Sequence, residues 1–110
     1  MSSTSLQKEP IYSTLVGDPD LEELVELFVS EMPNRIATLE SLLAQCDWDS
    51  LRRTAHQLKG AAGSYGFAPI SPSAARVEDA VRQASPEEKI GQAVAELVEL
   101  CQRAQAKQPG

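Results

Sequence analysis

The chain has little of what marks an enzyme or a stapled fold. Cysteine occurs only twice in 110 residues, as Cys46 and Cys101. Two cysteines so far apart have no metal-site spacing and make no disulfide framework. Each falls at an apolar helical position, so both are expected to be reduced core residues. Aromatic residues make up only 5%, which leaves Leu, Val, Ile and Ala to fill the interior, as in a helical bundle. No segment alternates apolar and polar residues over a useful length, so no strand is expected. No apolar run approaches the ~20 residues that span a bilayer, and no basic segment followed by an apolar run opens the chain. The expectation is a cytoplasmic protein with no membrane partner. Histidine occurs once, at position 56.

Acidic residues are unevenly placed. The net charge is -6, which argues against nucleic-acid binding, since that rests on phosphate neutralisation by Lys and Arg. Up to Asp49 there are ten acids and two bases. From Ser50 to Val77 there is no acid at all, while Arg52, Arg53, Lys59 and Arg76 are present. The middle of an acidic protein is therefore locally basic, and His56 lies in it.

Helix start and stop signals divide the rest. Residues 1–10 read as a flexible polar tail, and Ile11, Tyr12 and Leu15 as a short docking lead-in. Asp18-Pro19 pairs an N-cap with proline at the first helical position, and Leu21, Leu24 and Phe28 follow as an apolar stripe ending near Glu31. Pro33 restarts the chain into a helix whose stripe is Ile36, Leu39, Leu43 and Cys46. Asp47 caps the next helix, which Tyr65 and Gly66 close. Ser71-Pro72 opens another, with Val77, Val81 and Ala84 inward. Ser85-Pro86-Glu87-Glu88 reads as a capping box before Ile90, Val94, Leu97, Cys101 and Ala104. Residues 106–110 form a second flexible tail. Short connections make sequential helices antiparallel neighbours. The expected fold is all-α: one domain over 11–105, an antiparallel up-and-down four-helix bundle with an additional short N-terminal helix.

On a helical wheel for Asp47 to Tyr65, residues Leu51, Ala55, Leu58, Ala62 and Tyr65 share one face. His56 lies on the order of 140° from the centre of that stripe. Its helical neighbours are Arg52, Arg53, Lys59, Gly60 and Gly63, none of them bulky and apolar. Glycine inside a helix costs roughly 1 kcal/mol relative to alanine, so two glycines beside one exposed imidazole call for a reason. A neutral imidazole has a free nitrogen at physiological pH and is a competent nucleophile toward phosphoryl groups. A lysine one turn away can neutralise part of the resulting charge. The glycines remove side chains from that face and let another protein approach the ring.

At these residues the chain resembles the histidine-containing phosphotransfer (HPt) domain family. The motif stands as Ala55-His56-Gln57-Leu58-Lys59-Gly60-Ala61-Ala62-Gly63, with Gly66 closing. The stretch LVELFVSEMPNRIATLESLL, from Leu24 to Leu43, resembles the family's first two helices, and CDWDSLRRTAH its approach to the phosphorylated helix. The resemblance spans roughly residues 15–103. It implies phosphorylation of His56, through Nε2, with Lys59 steadying the phosphate and Gly60 and Gly63 leaving room for the partner. Partners would be receiver domains of response regulators and hybrid histidine kinases. A receiver supplies the acidic pocket and Mg²⁺, so the chain needs no cofactor or metal of its own and is a carrier, not an enzyme. Arg52 and Arg53 would complement the receiver's acidic site. Arg82, on the following helix, and Gln57, on the flank of the histidine face, are weaker candidates and more naturally read as surface residues. A monomer is expected. Two other readings compete with it: a docking module that binds a receiver without transfer, and an enzyme using His56 as general base or metal ligand. The second lacks a companion carboxylate, Cys or second His in the sequence around it.

Overall fold

Capping and chain-stopping signals account for most of the observed boundaries. The computed structural model describes residues 9–15 and 19–105. Its elements in chain order are β1 (Ile11–Tyr12), α1 (Pro19–Ser30), α2 (Met32–Ala44), α3 (Trp48–Ser64), α4 (Ile70–Arg82), α5 (Glu87–Gln102) and β2 (Ala104–Gln105). The fold is all-α in class, with five helices among the described residues. Proline opens α1 and falls in the first turn of α2, where its missing N–H costs nothing. Asp47 caps α3 by accepting a hydrogen bond from the Ser50 amide at 3.3 Å. The predicted Asp18 cap and the tails over 1–8 and 106–110 lie outside the described residues.

Three helices end in the same way. After α3 the amide of Gly66 donates to the Gly63 carbonyl and that of Phe67 to the Ala62 carbonyl, with Gly66 at φ +82°. This is the Schellman closure, which needs a left-handed residue just past the helix. Cys46 after α2 and Ala84 after α4 occupy the same position, each at φ 55°. The closure corrects two core assignments. A residue in that position points away from the helix's apolar stripe, so Cys46 and Ala84 are exposed. Of the two cysteines only Cys101 is a core residue.

Other expectations shift more modestly. Helix α1 buries Val25 and Phe28, leaving Leu24 exposed, so its inward stripe is rotated from the Leu21–Leu24–Phe28 reading. Helix α4 begins at Ile70, one residue before the predicted Ser71, with Pro69 as its cap. No capping box forms before α5: its N-cap is Pro86 and no side chain closes that end. Glu87 and Glu88 in the first turn still suit the helix dipole. Ala104 is buried, but in β2 rather than on the last helix. The prediction of no strand fails by one short feature, a parallel pairing of Ile11 with Ala104 and Tyr12 with Gln105. Two residues a side are too few to show period-two patterning.

The core is continuous. Helices α2, α3, α4 and α5 pack each on the next, with α5 also against α2, while α1 touches α2 and β2. Leu51, Ala55, Leu58 and Ala62 of α3 are buried together, as the wheel required, with Tyr65 packed beside them. Phe28 joins α1 to the end of α3, with ring centroids 5.3 Å from Tyr65 and 5.4 Å from Phe67. The predicted lead-in docks. Ile11 is buried, Thr14 donates to the Gly66 carbonyl at 3.0 Å, and the Ser13 hydroxyl donates to the Tyr65 carbonyl.

The glycines of α3 and its closure separate on this geometry. A Cβ on Gly66 would meet Ser13 Oγ at 2.7 Å and the Thr14 amide nitrogen at 2.8 Å, at a backbone angle L side chains avoid. A Cβ on Gly60 would meet nothing within 4 Å, and one on Gly63 only Ser71 Oγ at 3.8 Å. Gly66→Ala is therefore expected to destabilise by about 1–3 kcal/mol, and Gly60→Ala to stabilise by roughly 0.5–1 kcal/mol. Urea unfolding of the two variants checks both signs.

Candidate functional site

Helix α3 carries His56 on its outward face, with 62% of the side chain exposed. The ring is nevertheless anchored. Its Nδ1 lies 2.9 Å from Oε2 of Glu78, a residue of α4 whose side chain is only 4% exposed. Lys59, one turn along α3, donates from Nζ to Glu78 Oε1 at 3.0 Å. Arg82, one turn along α4, donates from a terminal nitrogen to Glu78 Oε2 at 2.9 Å, and from the other to Asp79 Oδ1 at 3.1 Å. Three residues from two helices, His56 and Lys59 of α3 and Arg82 of α4, thus share the one buried carboxylate of Glu78. The α3–α4 contact is fixed beside it by Ser71, whose hydroxyl donates to the Lys59 carbonyl at 3.0 Å.

The electrostatics follow from the count of donors. A buried carboxylate is costly unless it is paired and hydrogen-bonded. Here the hydrogen bond from Lys59 is the largest influence, and it holds the Glu78 carboxyl below its ordinary value of 4.5 against the opposing effect of burial, with smaller help from His56. Glu78 is then ionised at neutral pH and can only accept hydrogen bonds. A neutral His56 must therefore carry its proton on Nδ1, pointed at Glu78. Its Nε2 is left as the unprotonated nitrogen. A carboxylate that fixes the tautomer and orientation of an imidazole also stabilises positive charge developing on the ring. Glu78 is a positioning residue in this sense, acting through His56.

The predicted residues do not all converge. His56 and Lys59 meet at Glu78, and Gly60 and Gly63 leave the α3 surface past His56 without side chains. Arg82, a weak candidate in the sequence, is part of the cluster. Arg52 and Arg53 are not: both pair with Asp49, at 3.2 and 3.3 Å. These pairs are partly exposed, so each is worth little and either arginine can re-aim toward a partner. Gln57 lines a groove on the α2 side of α3, away from the cluster. Among the described residues no group of three or more His, Cys, Asp or Glu could hold a metal ion, and no helix is long and apolar enough to cross a membrane.

Glu78 was missed by sequence reasoning, which took His56 to lack a nearby carboxylate. A signal existed. The acid-free stretch ends just before it, and on the wheel of α4 it lies about 70° from the centre of the stripe formed by Ile70, Ala74, Val77 and Val81. A carboxylate that close to an apolar face needs partners, and Arg82 at i+4 is one of them.

A family model described as the Hpt domain matches residues 23–107. The chain belongs to the Hpt domain family. Membership gives it a phosphotransfer role in two-component signalling, as a carrier rather than a catalyst, with receiver domains as the kind of partner. No curated protein and no solved structure matches the chain.

Acid should expose the weight of Glu78. Its carboxyl is depressed in the folded state, so its contribution to stability is present above the unfolded carboxylate range and is lost as pH falls through the folded value. Glu78→Gln is expected to flatten the decline of the melting temperature between neutral and acidic pH relative to wild type. Parallel declines in a thermal melt series would remove the ionised carboxylate from the stability of the fold.

Proposed function

We propose that this Hpt domain carries a phosphoryl group on Nε2 of His56, taking it from an aspartate of one receiver domain and passing it to an aspartate of another. The observation that carries the reading is the 2.9 Å approach of His56 Nδ1 to buried Glu78, which in the neutral ring draws the proton to Nδ1 and leaves Nε2 free on an exposed side chain. In the forward step Nε2 attacks the phosphorus of the receiver's aspartyl phosphate. An N–P bond forms, the P–O bond to the aspartate breaks, and the aspartate leaves as a carboxylate. The ring gains positive charge, which Glu78 stabilises through the Nδ1 proton. The phosphoryl group brings about two negative charges, and Lys59, with Arg82 beside it, supplies cations within reach of them. The receiver brings its own Mg²⁺, and this chain needs none.

The remaining parts serve approach. Neither Gly60 nor Gly63 is required by crowding within this fold, so their small size is assigned to the receiver's access to His56. Arg52 and Arg53 add positive charge that speeds encounter with an acidic receiver face. The four helices α2–α5 run as an antiparallel up-and-down bundle, with α1 laid across its end, and the domain works as a monomer in the cytoplasm, where its receivers are.

Incubation with a phosphorylated receiver is expected to put an acid-labile, base-stable label on the wild type, and none on His56→Gln. Glu78→Gln should slow labelling by roughly ten- to a hundredfold, the usual loss when an imidazole loses its orienting carboxylate. Label on His56→Gln would overturn the reading.

The bare face has its own test. Gly63→Leu should fold normally and transfer far more slowly. A wild-type rate in that variant would end the access argument for Gly63.

A further inference from the structure

Giving the phosphoryl group away asks something of the ring that accepting it does not. In the donating step an oxygen of the receiver's aspartate attacks phosphorus. A P–O bond forms, the N–P bond breaks, and its electron pair returns to Nε2. If Nδ1 carries a proton, the ring leaves as neutral imidazole and no proton has to move. If Nδ1 is bare, the ring has to leave as imidazolate, a far stronger base and a poor leaving group. Discharge of the phosphorylated carrier therefore turns on one proton.

The fold sets that proton against a buried acid, since Glu78 is 4% exposed and lies 2.9 Å from Nδ1. Charges around His56 come from each neighbouring element. On α4 they are Glu78 and Arg82, with Asp79 paired to Arg82. On α3 they are Lys59, and Arg52 and Arg53, which Asp49 engages. Toward α2, past Gln57, Glu31 and Arg35 pair with each other.

At the cluster itself two cations, Lys59 and Arg82, answer the one carboxylate of Glu78 in the free protein. A phosphoryl group on Nε2 adds about two negative charges. Negative charge then exceeds positive, unless the ring keeps its Nδ1 proton and is itself a cation. The phosphoryl oxygens also compete with Glu78 for Lys59 and Arg82. Each cation they draw off leaves the carboxylate short of a donor, and burial denies it water in exchange. The Nδ1–H is the one donor the phosphoryl group cannot take, because on a rigid ring it points away from Nε2.

We propose that Glu78 keeps the phosphorylated His56 ring protonated at Nδ1 beyond neutral pH, and thereby keeps the phosphoryl group transferable. Glu78 is in this way a positioning residue for the donating step, acting through the proton without touching phosphorus. Its use in discharge rests on the carrier reading, but the place of the proton is a property of the phosphorylated chain alone.

Phosphoramidate, a small phosphoryl donor, labels wild type and Glu78→Gln without a receiver. Nitrogen-15 NMR then reports Nδ1 directly, and His56 is the only histidine in the chain. The phosphorylated wild type should hold Nδ1–H at an alkaline pH where phosphorylated Glu78→Gln has lost it. Between neutral and alkaline pH, transfer to an unphosphorylated receiver should fall roughly tenfold more in Glu78→Gln than in wild type, the usual weight of an adjacent opposite charge. Wild type also carries a test of its own, by comparison with its urea-unfolded chain. The folded ring should keep Nδ1–H to the higher pH. Equal loss of the proton in folded and unfolded chains, or parallel pH profiles in the two variants, would overturn the proposal and leave Glu78 as an orienting group only. A phosphorylated wild type that passes label to no receiver at neutral pH would instead overturn the carrier reading, while the NMR comparison still decides where the proton lies.

Discussion

Everything at the site depends on one buried carboxylate. Glu78 lies between α3 and α4 and is answered by three donors, from His56, Lys59 and Arg82. Such a charge is tolerated only because it is fully met by partners, and once it is met it fixes each of them. The imidazole is oriented and its tautomer chosen. The lysine and the arginine are drawn to the same few ångströms of surface. A carboxylate in that place therefore does for an exposed histidine what a packed core does for a buried one. It holds the ring still while leaving its reactive nitrogen at the surface.

The surroundings of that ring divide into two flanks with different physics. Toward α4 the contacts are short and charged, and they converge on the Glu78 carboxylate. Toward α2 the surface is polar and concave, with Gln57 and Thr54 lining it. Past the ring along α3, Gly60 and Gly63 present no side chain. Gly66 looks like part of the same series in the sequence but answers to another constraint, since its positive φ and its contact with Ser13 and Thr14 close the helix and seat the N-terminal segment. One stretch of chain thus holds two glycines that crowding within the fold does not require and one that the fold does require.

Helix ends account for most differences between pattern and structure. Cys46 and Ala84 continue an apolar stripe in the sequence by spacing alone. Each sits one residue past the last helical cap, where the backbone turns left-handed and the stripe no longer applies. Leu24 departs for another reason. Helix α1 is attached mainly through Val25 and Phe28, with Phe28 packed on Tyr65 and Phe67, and that attachment sets the rotation of the helix. Periodicity locates a helix well, but the partner it packs on decides which edge of a wide apolar face turns inward.

By itself the sequence determined the helical class, the buried face of α3, the outward direction of His56, and the Lys59–Gly60–Gly63 surface beside it. These are local properties, set by the 3.6-residue period and by caps and glycines within one helix. The tertiary structure alone decided which acid meets the histidine. Glu78 is separated from His56 by 22 positions and a helix boundary, and only the packing of α4 on α3 brings them together. The same packing turned Arg82 from a surface charge into a member of the site, while local pairing with Asp49 drew Arg52 and Arg53 away. Long-range electrostatic pairing has no period in a sequence, and so it has to be read from the fold.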